Sequence, residues 1–300
     1  LYSLVALGFV LIFKASGVFN FAQGAMVLFS ALAMARFAEW IPGWLGMAPG
    51  VVGNLLAIVV TLALMVLVAW VIERFALRHL VNQEPIALLM ATLGIAYLLD
   101  GLGPMVFGSA VYSINVGMPK DPVFVMDGLI PGGVMLSLED LYAACIAALL
   151  VVCLSLFFQK TKTGRALRAV ADDHQAALSI GIPLQNIWAI VWGVAGFVAL
   201  VAGMMWGARN GVQFALTFTA LKALPVLILG GFTSVPGAIV GGLIIGASEK
   251  LAEIYIPPVM QDLFGGNFGG IEGWFPYVLA LLFLLVRPEG LFGEKHIDRV

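Results

Sequence analysis

Uninterrupted apolar windows constrain this chain more than any other feature of its sequence. Residues 51–72 and 187–208 contain no charged residue, and each is long enough to cross a hydrocarbon core, which takes about 20 residues of helix. Of the 300 residues, 62% are hydrophobic and only 11% are charged. Because lipid offers no partner to bare backbone amides, only helices and closed barrels span it, and these windows are far longer than barrel strands. The sequence therefore predicts an all-α, polytopic integral membrane helical bundle.

The apolar windows predict about eight or nine membrane segments within a single transmembrane domain, residues 1–300. The segments are 1–13, 18–38, 51–72, 85–106, 138–158, 187–208, 217–232, 236–251 and 274–287. Some of them are short or interrupted, which indicates broken or re-entrant helices. The chain starts inside an apolar run without methionine, so we expect residues upstream of Leu1.

The distribution of basic residues predicts the orientation, because cytoplasmic loops carry an excess of Lys and Arg. The orientation that follows this rule has a cytoplasmic C-terminus. The basic residues it assigns to the cytoplasm are Lys14, Arg74, Arg78, Lys160, Lys162, Arg165, Arg168, Arg287, Lys295 and Arg299.

Two loops on the opposite side carry turn signals. Loop 107–137 contains Asp127-Gly128 between short apolar runs, which is a hairpin signal. Such a hairpin would either pack on the outer helix ends or contact an external partner. Loop 251–273 combines prolines with glycines, and both a lid and a short interfacial helix fit this composition.

Composition argues against several other functions. The net charge is −2, which excludes the broad basic field of a nucleic-acid binder. Cys145 and Cys153 lie in one apolar window without companion ligands and are interpreted as packing residues. A membrane-embedded enzyme is disfavoured because His79, His174 and His296 all fall in predicted cytoplasmic segments, where they cannot converge on an intramembrane site.

The longest predicted cytoplasmic loop, residues 159–186, has a helical pattern in "TKTGRALRAVADDHQAALSIGIP". Thr163 is positioned to cap the helix, and Gly181 followed by Pro183 would end it. Its modest apolar stripe leaves three interpretations open: a topology signal, a helix lying on the membrane surface, or a docking helix that transmits force from a partner.

Two interruptions of apolar segments give candidates for a transport pathway. In "GVFNFAQGAM", residues 17–26, the candidates are Asn20, Phe21, Gln23 and Gly24, since polar groups on a broken helix often line transport sites. The alternative is that Asn20 caps the second helix and Gln23 bonds its first turn.

The second interruption is "GGFTSVPGA", residues 230–238. Thr233 or Ser234 would cap the next helix and Pro236 would open it; these three residues are the second group of pathway candidates. The flanking runs "ALGFVLI" and "ALPVLIL" hint at an internal repeat, a common device in transporters.

Four stretches resemble one family, the permeases of ABC importers of the branched-chain amino acid type. "GRALRAVADDHQAALSIGI" is similar to the family's cytoplasmic loop, and "LVALGFVLIFKASGVFNFAQG" is similar to its first-helix signature. "LKALPVLILGGFTSVPGAIVGGLIIG" and "RPEGLFGE" resemble the late glycine-rich segment and the C-terminal end. Length and the early Asn-Phe-Ala segment resemble the H-type subunit rather than the longer M-type partner. Gln23 stands where the family often has His, and Phe232-Thr233 replaces a more common Ile-Gly.

The resemblance implies a permease of the bacterial inner membrane, working as a heterodimer with an M-type permease. It further implies two cytoplasmic ATPase subunits, which would bind ATP and Mg²⁺, no cofactor in this chain, and a periplasmic substrate-binding protein. The residues it implies for coupling to the ATPase are Arg165, Arg168, Ala171, Asp172, Asp173, Ala177, Gly181, Ile182 and Pro183.

One alternative function stays open on the residues alone. A self-sufficient secondary transporter would place ionisable residues in the membrane, and Asp100 and Glu249 are the nearest candidates. Neither has an obvious intramembrane partner in the sequence. The cargo also stays open among branched-chain or other amino acids, urea and amides, and small carboxylates.

Overall fold

A computed structural model describes residues 1–48, 50–80, 83–115, 117, 119, 121–125, 134–172, 174–265 and 269–293. The first helices are α1 Tyr2–Ser16, α2 Gln23–Leu45, α3 Val51–Phe75 with a 3-10 turn at Leu77–Leu80, and α4 Pro85–Phe107. Strands β1 Pro122–Val125 and β2 Val134–Ser137 precede α5 Leu138–Lys160, α6 Lys162–Asp172 and α7 His174–Ser179. The last helices are α8 Leu184–Asn210, α9 Ala215–Leu221, α10 Ala223–Gly230, α11 Val235–Phe264 and α12 Ile271–Val286.

The core of the bundle is formed by α1, α2 and α8. Every residue of α1 from Leu4 to Ile12 is buried, as expected of a helix that is apolar on all sides. In the most apolar windows of α2 and α8, 67% and 72% of the residues are buried, against 22–28% in α3, α4 and α5. Helix α8 packs on α1, α2 and α3, and α11 packs on α1 and α10. The predicted polytopic helical architecture is confirmed.

Glycines allow the central helices to approach one another closely. A Cβ added at Gly203 in α8 would lie 2.7 Å from the Val27 carbonyl oxygen of α2, and one at Gly241 in α11 would lie 2.7 Å from the Val226 oxygen of α10. Small residues at such crossings are the usual means of helix association in lipid. Gly203 and Gly241 therefore serve packing within this chain.

The predicted segments 217–232 and 236–251 have different bounds in the structure. Segment 217–232 is divided at Lys222 into α9 and α10, and the pair meets α11 at a bend of 115°. Helix α11 continues to Phe264 through Pro257 and Pro258, so most of the predicted loop 251–273 is helical. Each proline leaves an unpaired carbonyl one turn earlier, and this part of the helix is exposed, which lets solvent satisfy those groups.

The loops around Tyr112 and Val212 contact one another. Strands β1 and β2 pair antiparallel from Pro122 opposite Ser137 to Val125 opposite Val134, which confirms the hairpin, while its predicted turn at 127–128 lies outside the described residues. Tyr112 and Val212 exchange backbone hydrogen bonds of 3.1 and 2.7 Å. Arg209 and Asp140 form an ion pair of 2.8 Å. The beginning of α5 and the end of α8 thus share one side of the bundle, as the predicted topology requires.

The interpretation of the cysteines as packing residues was wrong. Cys145 and Cys153 are both exposed, because α5 buries little of its apolar surface within this chain. Cys153 borders an apolar groove of about 660 Å³ between α3, α5 and α8.

The glycine contact between α2 and α8 is testable by substitution. Gly203→Val forces new side-chain atoms against the Val27 carbonyl, and we expect a loss of about 1–3 kcal/mol of stability, the usual cost of overpacking. Thermal unfolding in detergent measures the change. Gly193→Val is the matched control in the same helix, because a Cβ there meets nothing within 4 Å; equal effects of the two variants would refute the packing role.

Candidate transport and coupling sites

The first interruption ties α2 to α8. Helix α1 ends at Ser16, and Gly17 adopts a left-handed conformation. The Asn20 Oδ1 accepts a hydrogen bond from the Ala22 amide at 3.0 Å, and the Gln23 Nε2 donates to the Ala195 carbonyl of α8 at 3.4 Å. Both side chains are completely buried. Asn20 therefore fixes the turn before α2, and Gln23 bonds α8 rather than the first turn of α2.

The neighbouring pathway candidates also make internal contacts. The Phe21 amide donates to the Thr92 hydroxyl of α4 at 3.3 Å. A Cβ added at Gly24 would lie 2.9 Å from the Thr217 carbonyl oxygen, so this glycine lets α9 pack closely against α2. The group therefore positions α2 against α4, α8 and α9.

The second interruption is held by the C-terminal segment. The Ser234 hydroxyl accepts a hydrogen bond of 3.0 Å from the Gly237 amide, which confirms the predicted cap. The amides of Leu291 and Phe292 donate to the carbonyls of Leu229 and Gly230 at 2.8 and 3.1 Å. Residues 291–292 thereby satisfy backbone groups at the end of α10.

The polar segment 161–183 forms two helices outside the main bundle. The Thr161 hydroxyl accepts from the Gly164 amide at 3.0 Å, so Thr161 is the cap rather than the predicted Thr163. Gly181 has φ +83, and the Ile182 amide bonds the Ala177 carbonyl at 3.0 Å; this left-handed ending confirms the predicted stop.

The two faces of this segment differ sharply. Leu167, Val170 and Ala177 are buried, whereas the side chains of Arg165 and Arg168 are exposed. Ala171 is partly buried, Ile182 packs against the core, and Pro183 precedes α8. Asp173 and the side chain of Asp172 lie outside the described part of the chain. A packed apolar face and an exposed basic face suit a segment that joins the bundle to a partner.

Direct contacts connect this segment to the interrupted spans. At the beginning of α8, the buried Trp188 Nε1 donates to the Ala15 carbonyl in the last turn of α1 at 3.1 Å. Helix α6 also packs on α1 and α5. A displacement of the segment would therefore act on the first interruption through α1.

A cavity of about 300 Å³ lies between the second interruption and the polar segment. Thr233, Ser234 and Pro236 line one wall, and Arg168 of α6 lines another. We name this the basal cavity. The structure thus places three pathway candidates beside a coupling candidate that lies more than sixty positions earlier in the sequence.

Two polar clusters inside the bundle were not predicted. The Thr217 hydroxyl of α9 donates to the Asp100 carboxylate of α4 at 3.1 Å. Farther along, the Tyr2 hydroxyl donates to the Glu249 Oε1 at 3.1 Å, and the Lys222 ammonium lies 3.5 Å from the same oxygen. The expectation that Asp100 and Glu249 lack partners was wrong. Besides Glu249, the sequence signal for the second cluster was Lys222 within an apolar run.

The buried carboxylate of Glu249 depends on its partners in the second cluster. Glu249 is buried, and among the described residues no donor reaches its Oε2. A buried carboxylate is costly unless it is paired, so Lys222 and Tyr2 together hold α1, the junction between α9 and α10, and α11 in register. In the described part of the chain, no group of three His, Cys, Asp or Glu residues could hold a metal ion.

These features define the class of protein. Broken apolar helices, polar groups inside the bundle and an amphipathic segment packed on its basic end are the parts of a membrane transport subunit. The chain belongs to the family described as branched-chain amino acid transport system / permease component, whose model matches residues 1–286.

The relatives are permease proteins of such systems. The chain is 28% identical to the high-affinity branched-chain amino acid transport system permease protein LivH of Escherichia coli K12, covering 100% of this chain and 93% of the relative. It is 27% identical to BraD of Pseudomonas aeruginosa over 100% and 94%. The permease protein LivM of Escherichia coli K12 is 28% identical over 49% of this chain and 33% of the relative. No solved structure matches the chain. The protein is thus a multi-pass permease subunit of an ABC importer.

The buried ion pair gives a double-variant test. Glu249→Leu leaves the Lys222 ammonium without its carboxylate, and we expect a loss of about 3–5 kcal/mol of stability. The double variant Glu249→Leu/Lys222→Leu removes both charges and should recover most of that loss. Thermal unfolding in detergent measures both variants, and additive losses would show that the pair is not coupled.

Proposed function

We propose that this chain is one of two membrane-spanning halves of an ATP-driven importer of the bacterial inner membrane. The observation that carries this proposal is the coupling segment α6–α7, which is packed on the bundle by its apolar face and bonded to α1 through the start of α8. Its exposed face, which carries Arg165, is the docking surface for a cytoplasmic ATPase, and Arg168 lines the basal cavity beside that face. The basic end of the bundle, including the C-terminus, lies in the cytoplasm.

The ATPases are separate subunits in this proposal. The sequence contains no G-x-x-x-x-G-K-[ST] phosphate loop, which an ATP-binding chain of this class would need. ATP and Mg²⁺ are therefore bound by two partner ATPases, and this chain carries no cofactor. Closure of the ATPases would displace α6–α7, and Trp188 would pass that movement to the first interruption.

The second half of the pathway is an M-type permease. The similarity to LivM over 49% of this chain supports a partner of related fold. A periplasmic binding protein would deliver the cargo to the outer ends of the two subunits. The names of the relatives make a branched-chain amino acid the first cargo to test.

Copurification tests the composition of the importer. We expect the tagged chain, extracted in mild detergent, to retain an M-type permease and two ATPases, and ATP-dependent leucine uptake to follow when the complex and its binding protein are reconstituted. A chain that purifies alone and transports without ATP would overturn the proposal and favour a secondary transporter.

The end of the coupling segment is testable by substitution. Gly181 has φ +83, a region that β-branched residues avoid, so Gly181→Val distorts the junction between α7 and α8. We expect ATP hydrolysis to continue while uptake falls, and the ratio of leucine imported to ATP hydrolysed measures this loss. Gly46→Val is the control, because Gly46 has φ +64 at the distant end of α2. Normal coupling in Gly181→Val would contradict the docking role.

The surface between α4 and α9 carries a partly exposed acid, Asp100. Asp100 is partly exposed and bonded only to the neutral Thr217 among the described residues, and a carboxylate at membrane depth faces water or protein rather than lipid. We therefore assign Asp100 to the pathway, where it accepts the ammonium group of the amino acid.

Asp100→Asn removes the charge and keeps the shape. We expect the apparent affinity for leucine uptake to fall about tenfold or more, the value of a hydrogen bond to a charged group, while Asp100→Glu retains most of it. Uptake by proteoliposomes over a range of leucine concentrations measures the change. Wild-type affinity in Asp100→Asn would remove this residue from the pathway.

A further inference from the structure

The basal cavity has a strongly one-sided charge. Lys14 from the end of α1 and Arg168 from α6 line it, and no Asp or Glu of the described chain is among its lining residues. No ion pair or hydrogen bond joins the Lys14 ammonium to another described residue. The Arg168 Nη2 donates only weakly, at 3.4 Å, to the Gln159 carbonyl. Two cations thus converge from different helices on one concave site.

Neutral donors complete the polar wall. Ser155, Gln159, Thr233 and Ser234 line the same cavity. The oxygens of Ser155 and Ser234 already accept hydrogen bonds of 3.0 Å from the Gln159 side chain and the Gly237 amide. Their hydroxyl protons therefore stay available to donate. Cations together with hydroxyl donors form the usual chemistry for binding a phosphate group.

The remaining wall is apolar. Leu11, Phe158 and Leu167 line the cavity and are almost completely buried, and the more exposed Phe292 lines it as well. A free inorganic anion gains nothing from such a wall. A phospholipid gains apolar contacts with this wall, because the glycerol and first methylenes attached to its phosphate can pack against it.

We propose that the basal cavity binds the phosphate group of an anionic phospholipid of the cytoplasmic leaflet. Basic pockets between membrane helices on this side attract anionic headgroups. The inference rests on the proposed function for the side of the membrane on which the cavity lies. The bound phosphate bridges Lys14 of α1, Arg168 of α6 and Thr233 at the second interruption, and so joins the coupling segment to both broken spans.

Native mass spectrometry of the complex in detergent tests this site. Dioleoyl phosphatidylglycerol, phosphatidylcholine and inorganic phosphate are titrated separately, without ATP. We expect phosphatidylglycerol to bind in preference to phosphatidylcholine, and Lys14→Ala to weaken its binding about fivefold, as one basic side chain near the membrane surface contributes. Thr233→Val should weaken it less while leaving both cations in place.

Lys160→Ala is the matched control. Lys160 is exposed at the end of α5, next to the lining residue Gln159, but does not itself line the cavity. Wild-type binding of phosphatidylglycerol by Lys14→Ala would overturn the proposal, as would equal weakening in Lys160→Ala, which indicates general surface attraction. Binding of inorganic phosphate that depends on Lys14, without binding of phosphatidylglycerol, would retain the phosphate site and overturn the lipid as its source. The measurement needs no ATP hydrolysis, so its failure is separable from a failure to copurify ATPases.

Discussion

The close contact of α8 with α1 and α2 is the constraint on which the rest of the structure depends. Lipid tails are as apolar as leucine, so helices in a bilayer associate by packing and hydrogen bonds rather than by a hydrophobic force between them. Gly203 brings α8 against the Val27 carbonyl, and the buried Gln23 amide bonds the Ala195 carbonyl across the same interface. This contact leaves α3, α4, α5 and α12 to face outward, where their exposed apolar side chains suit lipid or a second permease.

The two interrupted spans pack around that central contact. Each interruption frees backbone groups that would be costly in lipid. Asn20 bonds the Ala22 amide within the first interruption, and the distant residues 291–292 bond the end of α10 at the second. The coupling segment packs beside both. A permease that converts movement of a partner into movement of broken helices requires this proximity, because force passes only between elements in contact.

The ionisable groups inside the bundle separate into two kinds. Glu249 is buried and paired with Lys222 and Tyr2, which suits a role in holding helices together. Asp100 is partly exposed and has a neutral hydroxyl as its partner, and the proposed contact with the cargo rests on this unpaired charge. Burial and partner identity, rather than the presence of an acid in an apolar segment, distinguish a structural charge from a functional one.

The sequence by itself determined the helical membrane architecture, the orientation signal, the hairpin, the interruptions at 17–26 and 230–238, and the glycine that ends the coupling segment. Each depends on composition or on chemistry within a few residues, such as the left-handed conformation of Gly181. Tertiary structure decided which polar groups meet. Gln23 bonds α8 rather than its own helix, Lys222 pairs with Glu249, and Lys14 and Arg168 share one cavity with Thr233. These contacts join residues far apart in the chain, and in a uniformly apolar background no local pattern specifies which helix faces which; only the packed bundle does.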